Sequence, residues 1–149
     1  VSGPLSAELD AQREVATGGT LFGNPLSLAA AKATLTEILV PEAYAHTTAL
    51  GGRLADGIAG AIAASGLPWT PYRFGPRAGQ WYGPAPRTGA EALALTDPDL
   101  TRLLRMWLAN RGIWEAIAGA GPTVPVPATE DDVDRYLEGY ASLLAELIR

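Results

Sequence analysis

The stretch Thr17-Gly18-Gly19-Thr20-Leu21-Phe22-Gly23-Asn24-Pro25 concentrates the residue types with which this chain could do chemistry. Glycines directly ahead of a helix leave main-chain N–H groups unpaired, and the helix dipole adds partial positive charge there. Such a turn suits a phosphate or a carboxylate. Thr20 adds a hydroxyl donor. Gly18 and Gly23 keep the G-x-x-x-x-G spacing of a P-loop, but Asn24-Pro25 stands where Lys-Ser/Thr is required, so a nucleotide P-loop is rejected. A dinucleotide-binding turn fails as well, for want of G-x-G and of a strong preceding strand. On local chemistry alone, the same glycines also serve as a plain tight turn ahead of a helix capped by Asn24.

Other reactive side chains are few. Of the 11 basic residues only Lys32 is a lysine. A Schiff-base lysine must be partly desolvated and must reach an aldehyde carbon. Lys32, two helical turns beyond the glycines and flanked by alanines, reads as solvated or snorkelling. His46 is the single histidine and has no second His or Cys to share a metal. Glu130, Asp131, Asp132 and Asp134 open a helix, where acids favour the dipole, and they lack the Asp/Asn-Gly alternation of a calcium loop. Arg77 and Arg111 could each hold a carboxylate bidentately, and surface ion pairing is the plainer expectation for both. The Trp and Tyr residues suit core and hairpin packing better than a nucleic-acid stacking platform.

Composition narrows the function classes. With 149 residues, 48% hydrophobic, the chain can bury a core and forms one domain more comfortably than two. A net charge of −5 argues against nucleic acid and gives no polybasic anchor for a membrane. The absence of cysteine removes disulfides, zinc fingers and thiol nucleophiles together. Val1 opens the chain and Met106 is its only methionine, from which a piece of a longer polypeptide is expected.

The elements that must position these residues follow from punctuation and periodicity. Residues 1–17 are weakly patterned, a tail or the end of a preceding element. Asn24-Pro25 starts an alanine-rich helix that carries on through Ile38-Leu39. Pro41 interrupts it. A second helix is predicted from about Glu42 to Ser65, its buried stripe Leu50, Leu54, Ile58 and Ile62, with Gly66 ending it. Residues 67–86 turn aromatic and β-forming, and Gly75-Pro76 suggests a hairpin. Thr96-Asp97-Pro98 opens a further helix with an apolar face of Leu100, Leu103, Leu104 and Trp107. Residues 113–117 suit a short strand. Thr129, with Asp132 three residues on, approximates a capping box for a last helix with Val133, Tyr136, Leu137, Tyr140, Leu144 and Leu147 inward. The sum is α+β: a small, mostly antiparallel sheet covered by helices.

Gly19-Thr20-Leu21-Phe22-Gly23-Asn24-Pro25, followed by an alanine-rich helix, resembles the G-T-x-x-G-N-P motif of class III pyridoxal-phosphate (PLP) aminotransferases, most of all the glutamate-1-semialdehyde 2,1-aminomutase branch. Pro68-Trp69, Gly75 and Arg77, then Asn110-Arg111-Gly112-Ile113, then Pro127 to Asp134 follow in the family's order. The resemblance covers about residues 18–149 and implies the C-terminal portion of a fold-type I enzyme. It divides the chain into a tail (1–17), a cofactor-phosphate loop and linking helix (18–40) and a small C-terminal domain (41–149). It further implies a cytoplasmic homodimer, small amine and carbonyl substrates, and a cofactor shared across the interface, its phosphate held in trans by Gly19 and Thr20. The family's Schiff-base lysine lies on a large domain ahead of this motif, so the chain alone is expected to be inactive. The alternatives to an amino-group transferase are a 2,1-aminomutase and a non-catalytic ligand-binding or interaction domain of the same architecture. No substrate contact is carried over onto Trp114 to Gly119, which offers few donors.

Overall fold

The computed structural model describes Gly3, Pro4, Ala7, Gly19 and residues 23–116 and 121–149. The chain forms two compact units, Val1–Val40 and Pro41–Arg149. In the first, α1 (Pro25–Ala33) starts as its sequence dictates. Asn24 caps it, Pro25 takes the first position, and the helix loosens into a π-turn over Thr34–Ile38. None of its residues is buried: Leu26 is 81% exposed and Leu35 66%.

The second unit is built on a long helix, α2 (Pro41–Ser65). Its predicted stripe of Leu50, Leu54, Ile58 and Ile62 is buried. Gly66 ends the helix at φ +71°, a left-handed conformation that costs glycine nothing. The hairpin follows as β1 (Thr70–Phe74) and β2 (Arg77–Trp81), antiparallel, with Thr70 opposite Trp81 and Phe74 opposite Arg77. The hairpin seats on α2 at Gly51, where a Cβ would lie 2.6 Å from the backbone of Pro76. A short helix α3 (Gly89–Ala94), which periodicity does not announce, is capped by Thr88. Helix α4 (Pro98–Ala109) begins at an Asp97 cap, and α5 (Glu130–Leu147) at a full Thr129–Asp132 capping box.

Helix α2 meets the hairpin and α5, and α4 lies on α5. The shared core joins the α2 stripe to Val133, Tyr136, Tyr140, Leu143 and Leu144 of α5 and to Leu104 and Leu108 of α4. Each such side chain contributes roughly 1.5–3 kcal/mol by leaving water. Two expectations need correction. Leu103 is exposed, and Leu108 is buried in its place, because the inward line of α4 runs at spacings of four through Leu104. Residues 113–116 form no strand, and Ile117 lies outside the described residues. The outer edge of β2 is taken instead by residues 122–124: Ala78 N–H donates to the Pro122 carbonyl and Val124 N–H to that of Pro76.

Candidate functional site

The glycine turn is partly described. Gly19 is exposed, and Gly23 turns at φ +74° with open space where a Cβ would stand. Thr20, Leu21 and Phe22 lie outside the described residues, so the Thr20 hydroxyl has no position here. Asn24 does more than shape the turn. Its Oδ1 accepts from Ser27 N–H at 2.9 Å, and its Nδ2 donates to Ser27 Oγ at 2.8 Å. With Pro25 lacking an N–H and Ser27 capped, the first turn of α1 keeps little donor capacity, and the amides open to an anion belong to the glycines ahead of it. Neither Gly19 nor Gly23 has a hydrogen-bond partner among the described residues. The stretch 15–36 holds no acidic residue in an otherwise acidic chain.

Lys32 is exposed in the last turn of α1, where its carbonyl accepts from Thr36 Oγ1. His46 Nε2 lies 2.9 Å from the Ala128 carbonyl and ties α2 to the approach of α5. Three of the four acids that open α5 are engaged: Asp132 closes the capping box, Asp134 receives Arg53 bidentately at 2.8 and 2.7 Å, and Glu130 lies 3.5 Å from the same Arg53. Backbone and hydroxyl donation from Thr129 depresses the Asp132 carboxyl, and Arg53 depresses that of Asp134. Neither Arg77 nor Arg111 pairs with an acid among the described residues, which corrects the expectation of surface ion pairs. Arg77 Nε donates to Thr123 Oγ1, and Arg111 stacks 3.8 Å over Trp107 while Nη1 donates to that residue's carbonyl. In both cases a nearby acceptor or ring replaces the acid.

A polar cluster in the second unit escaped the sequence reading. Tyr136, buried on α5, donates to Glu115 Oε1 at 2.6 Å, and Arg105 Nη2 donates to the Glu115 carbonyl at 3.0 Å. The Arg105 guanidinium lies 4.9 Å from the Trp114 ring. Burial pushes the Glu115 carboxyl up, against the opposing effects of the Tyr136 hydroxyl and the Arg105 charge. Burial likewise raises Tyr136 well above the usual phenol range. The signal was a single acid inside the apolar run Trp114-Glu115-Ala116-Ile117-Ala118. Trp114 and Glu115 line two cavities, of about 440 and 470 Å³.

No family model matches the chain. It is 33% identical over 132 residues to glutamate-1-semialdehyde 2,1-aminomutase of Desulfosudis oleivorans, covering 87% of this chain and 30% of that protein. The solved glutamate-1-semialdehyde-aminomutase of Pseudomonas aeruginosa PAO1 superposes with a TM-score of 0.78 at 32% identity, over 87% of this chain and 29% of that one. The β-phenylalanine aminotransferase of Variovorax paradoxus follows at 0.72 and 26%, over 89% and 30%. The fold is that of the C-terminal domain of fold-type I PLP enzymes. Within that class the chain is similar to the C-terminal portion of glutamate-1-semialdehyde aminomutases and class III aminotransferases. It spans about 30% of the length of the relatives it matches.

Proposed function

We propose that the chain works as the C-terminal part of a cytoplasmic PLP-dependent enzyme that moves an amino group between an amine or amino acid and a carbonyl compound. The observation that carries this reading is the 33% identity with an aminomutase across 87% of the chain. The donor chemistry of the glycine turn fits the cofactor. A phosphate dianion needs convergent donors and no competing carboxylate, and Gly19 and Gly23 stay open in a stretch free of acids.

Pyridoxal phosphate, when bound, supplies the electron sink that stabilises the carbanion formed during amino transfer. The part of this chain is to bind and orient. The Gly19 amide and the Thr20 hydroxyl donate to the phosphate of a cofactor held mainly by the partner protomer of a homodimer. Asn24 and Pro25 begin α1 directly behind the turn, Asn24 by capping Ser27. Lys32 takes no part, and the Schiff-base lysine comes from a large domain preceding this segment. Borohydride trapping at a pyridoxal phosphate concentration equal to that of the chain is therefore expected to give only the slow, unsaturable labelling of a solvated lysine at Lys32 in peptide maps. A stoichiometric adduct at Lys32 would overturn that assignment.

A second reading is favoured by the relatives named aminomutase: a 2,1-aminomutase that retains its intermediate and returns the amino group to the same carbon skeleton. Assay of the full-length protein separates the two. A transferase requires an external carbonyl acceptor, and a mutase isomerises its substrate without one. Absence of amino transfer of either kind in the cofactor-loaded protein would contradict both.

A further inference from the structure

The cavity of about 440 Å³ in the second unit falls within the range of small-molecule sites, about 300–1,000 Å³. Its walls are flat and aromatic. The Tyr72 and Trp81 rings sit 4.9 Å apart and tilted by 35°, and Trp114, 72% exposed, stands with Met106 at the mouth. Two glycines make room for Tyr72. A Cβ on Gly79 or on Gly121 would come within 2.7 Å of its hydroxyl.

Most polar groups around this space are engaged, and the donors left over sit on Arg102, Arg105 and Tyr72. The Tyr82 and Thr101 hydroxyls face each other at 3.4 Å. Arg102 has only a 3.8 Å contact with exposed Asp99. Arg105 gives Nη2 to the Glu115 carbonyl, and its buried Nε has no partner. No acid lies within ion-pair distance of Arg105 among the described residues, because the Glu115 carboxyl turns to Tyr136 instead. The Tyr72 hydroxyl likewise has no hydrogen-bond partner among the described residues, and burial raises it, which keeps it a neutral donor. The Glu115 carboxyl also borders this space and feels the Arg105 charge without forming an ion pair, and burial favours its neutral form. A cation stacked on an indole and not held in an ion pair, at the edge of an aromatic slot, matches one ligand chemistry: a flat ring bearing an acid.

We propose that this cavity binds a planar aromatic carboxylate, its ring among Tyr72, Trp81 and Trp114 and its carboxylate on Arg105. The inference does not depend on the cofactor reading. Calorimetric titration of the 149-residue chain with naphthoate, and with naphthamide as the uncharged control, tests it. Naphthoate is expected to bind saturably at one site, about tenfold tighter than the amide, and Arg105→Gln to remove that preference. Trp114→Ala, at an exposed position that folding does not require, is expected to weaken both ligands about tenfold while circular dichroism stays unchanged. No saturable binding of naphthoate, equal binding of acid and amide, or full affinity in Trp114→Ala would each overturn the proposal. Should Arg105→Gln fail to fold, the amide comparison and Trp114→Ala still decide it.

Discussion

Two tyrosines one turn apart on α5 are chemically opposite. Tyr136 satisfies its hydroxyl on Glu115, whereas Tyr140, with no surface exposed, buries a hydroxyl that has no partner. Tyr136→Phe is therefore expected to cost about 1–3 kcal/mol in urea unfolding, since it strands the carboxyl. Tyr140→Phe is expected to be neutral or to stabilise by up to about 1 kcal/mol. Equal losses in the two variants would contradict this contrast. Glu115 adds a pH dependence. Its carboxyl is raised above the ordinary 4.5 by burial, so the folded state binds its proton more tightly than the unfolded chain does. Its favourable contribution is complete below that ordinary value and is lost as pH rises through the folded one. Glu115→Gln is thus expected to raise Tm at about pH 7 and to bring no gain at about pH 4. At this scale the sequence showed caps and little else. Asn24, Asp97 and Thr129 were readable because capping is local, whereas the Arg105–Glu115–Tyr136 cluster joins residues that only the folded chain brings together.

Elements whose signal is periodic were read correctly, and those decided by competition for a partner were not. The α2 stripe at spacings of four needed only the helix period, and the hairpin needed only Gly75-Pro76 between two aromatic runs. The strand expected at 113–117 had β-forming residues, but it is residues 122–124 that bond to the β2 edge. Sequence cannot rank two segments for one edge. Helix α3 was missed because six residues are too few to display a period. Close approach of elements gives a paired test on α2. Gly51→Ala drives a methyl into the Pro76 backbone and is expected to cost about 1–3 kcal/mol, while Gly60→Ala, facing open space, is expected to stabilise by about 0.5–1 kcal/mol. Thermal unfolding of the two variants checks both signs.

For the molecule as a whole, size and surface agree. A segment of about 30% of its relatives' length carries a helix, α1, with no buried residue and with exposed Leu26, Leu28, Leu35 and Ile38. Helices this short are marginal in water without a packed face. The isolated chain is expected to self-associate through such apolar surface, and Leu26→Ser with Leu35→Ser to shift it towards monomer in light scattering. A salt-insensitive monomer of the unmodified chain would contradict that expectation. We propose, more narrowly, that the Gly19 amide and the Thr20 hydroxyl grip the phosphate of the cofactor. The most direct test is the cofactor dissociation constant of Thr20→Ala in the full-length protein, set beside that of pyridoxal, which lacks the phosphate. Affinity for pyridoxal phosphate is expected to fall about tenfold while that for pyridoxal is unchanged. Unaltered affinity for pyridoxal phosphate would contradict the account.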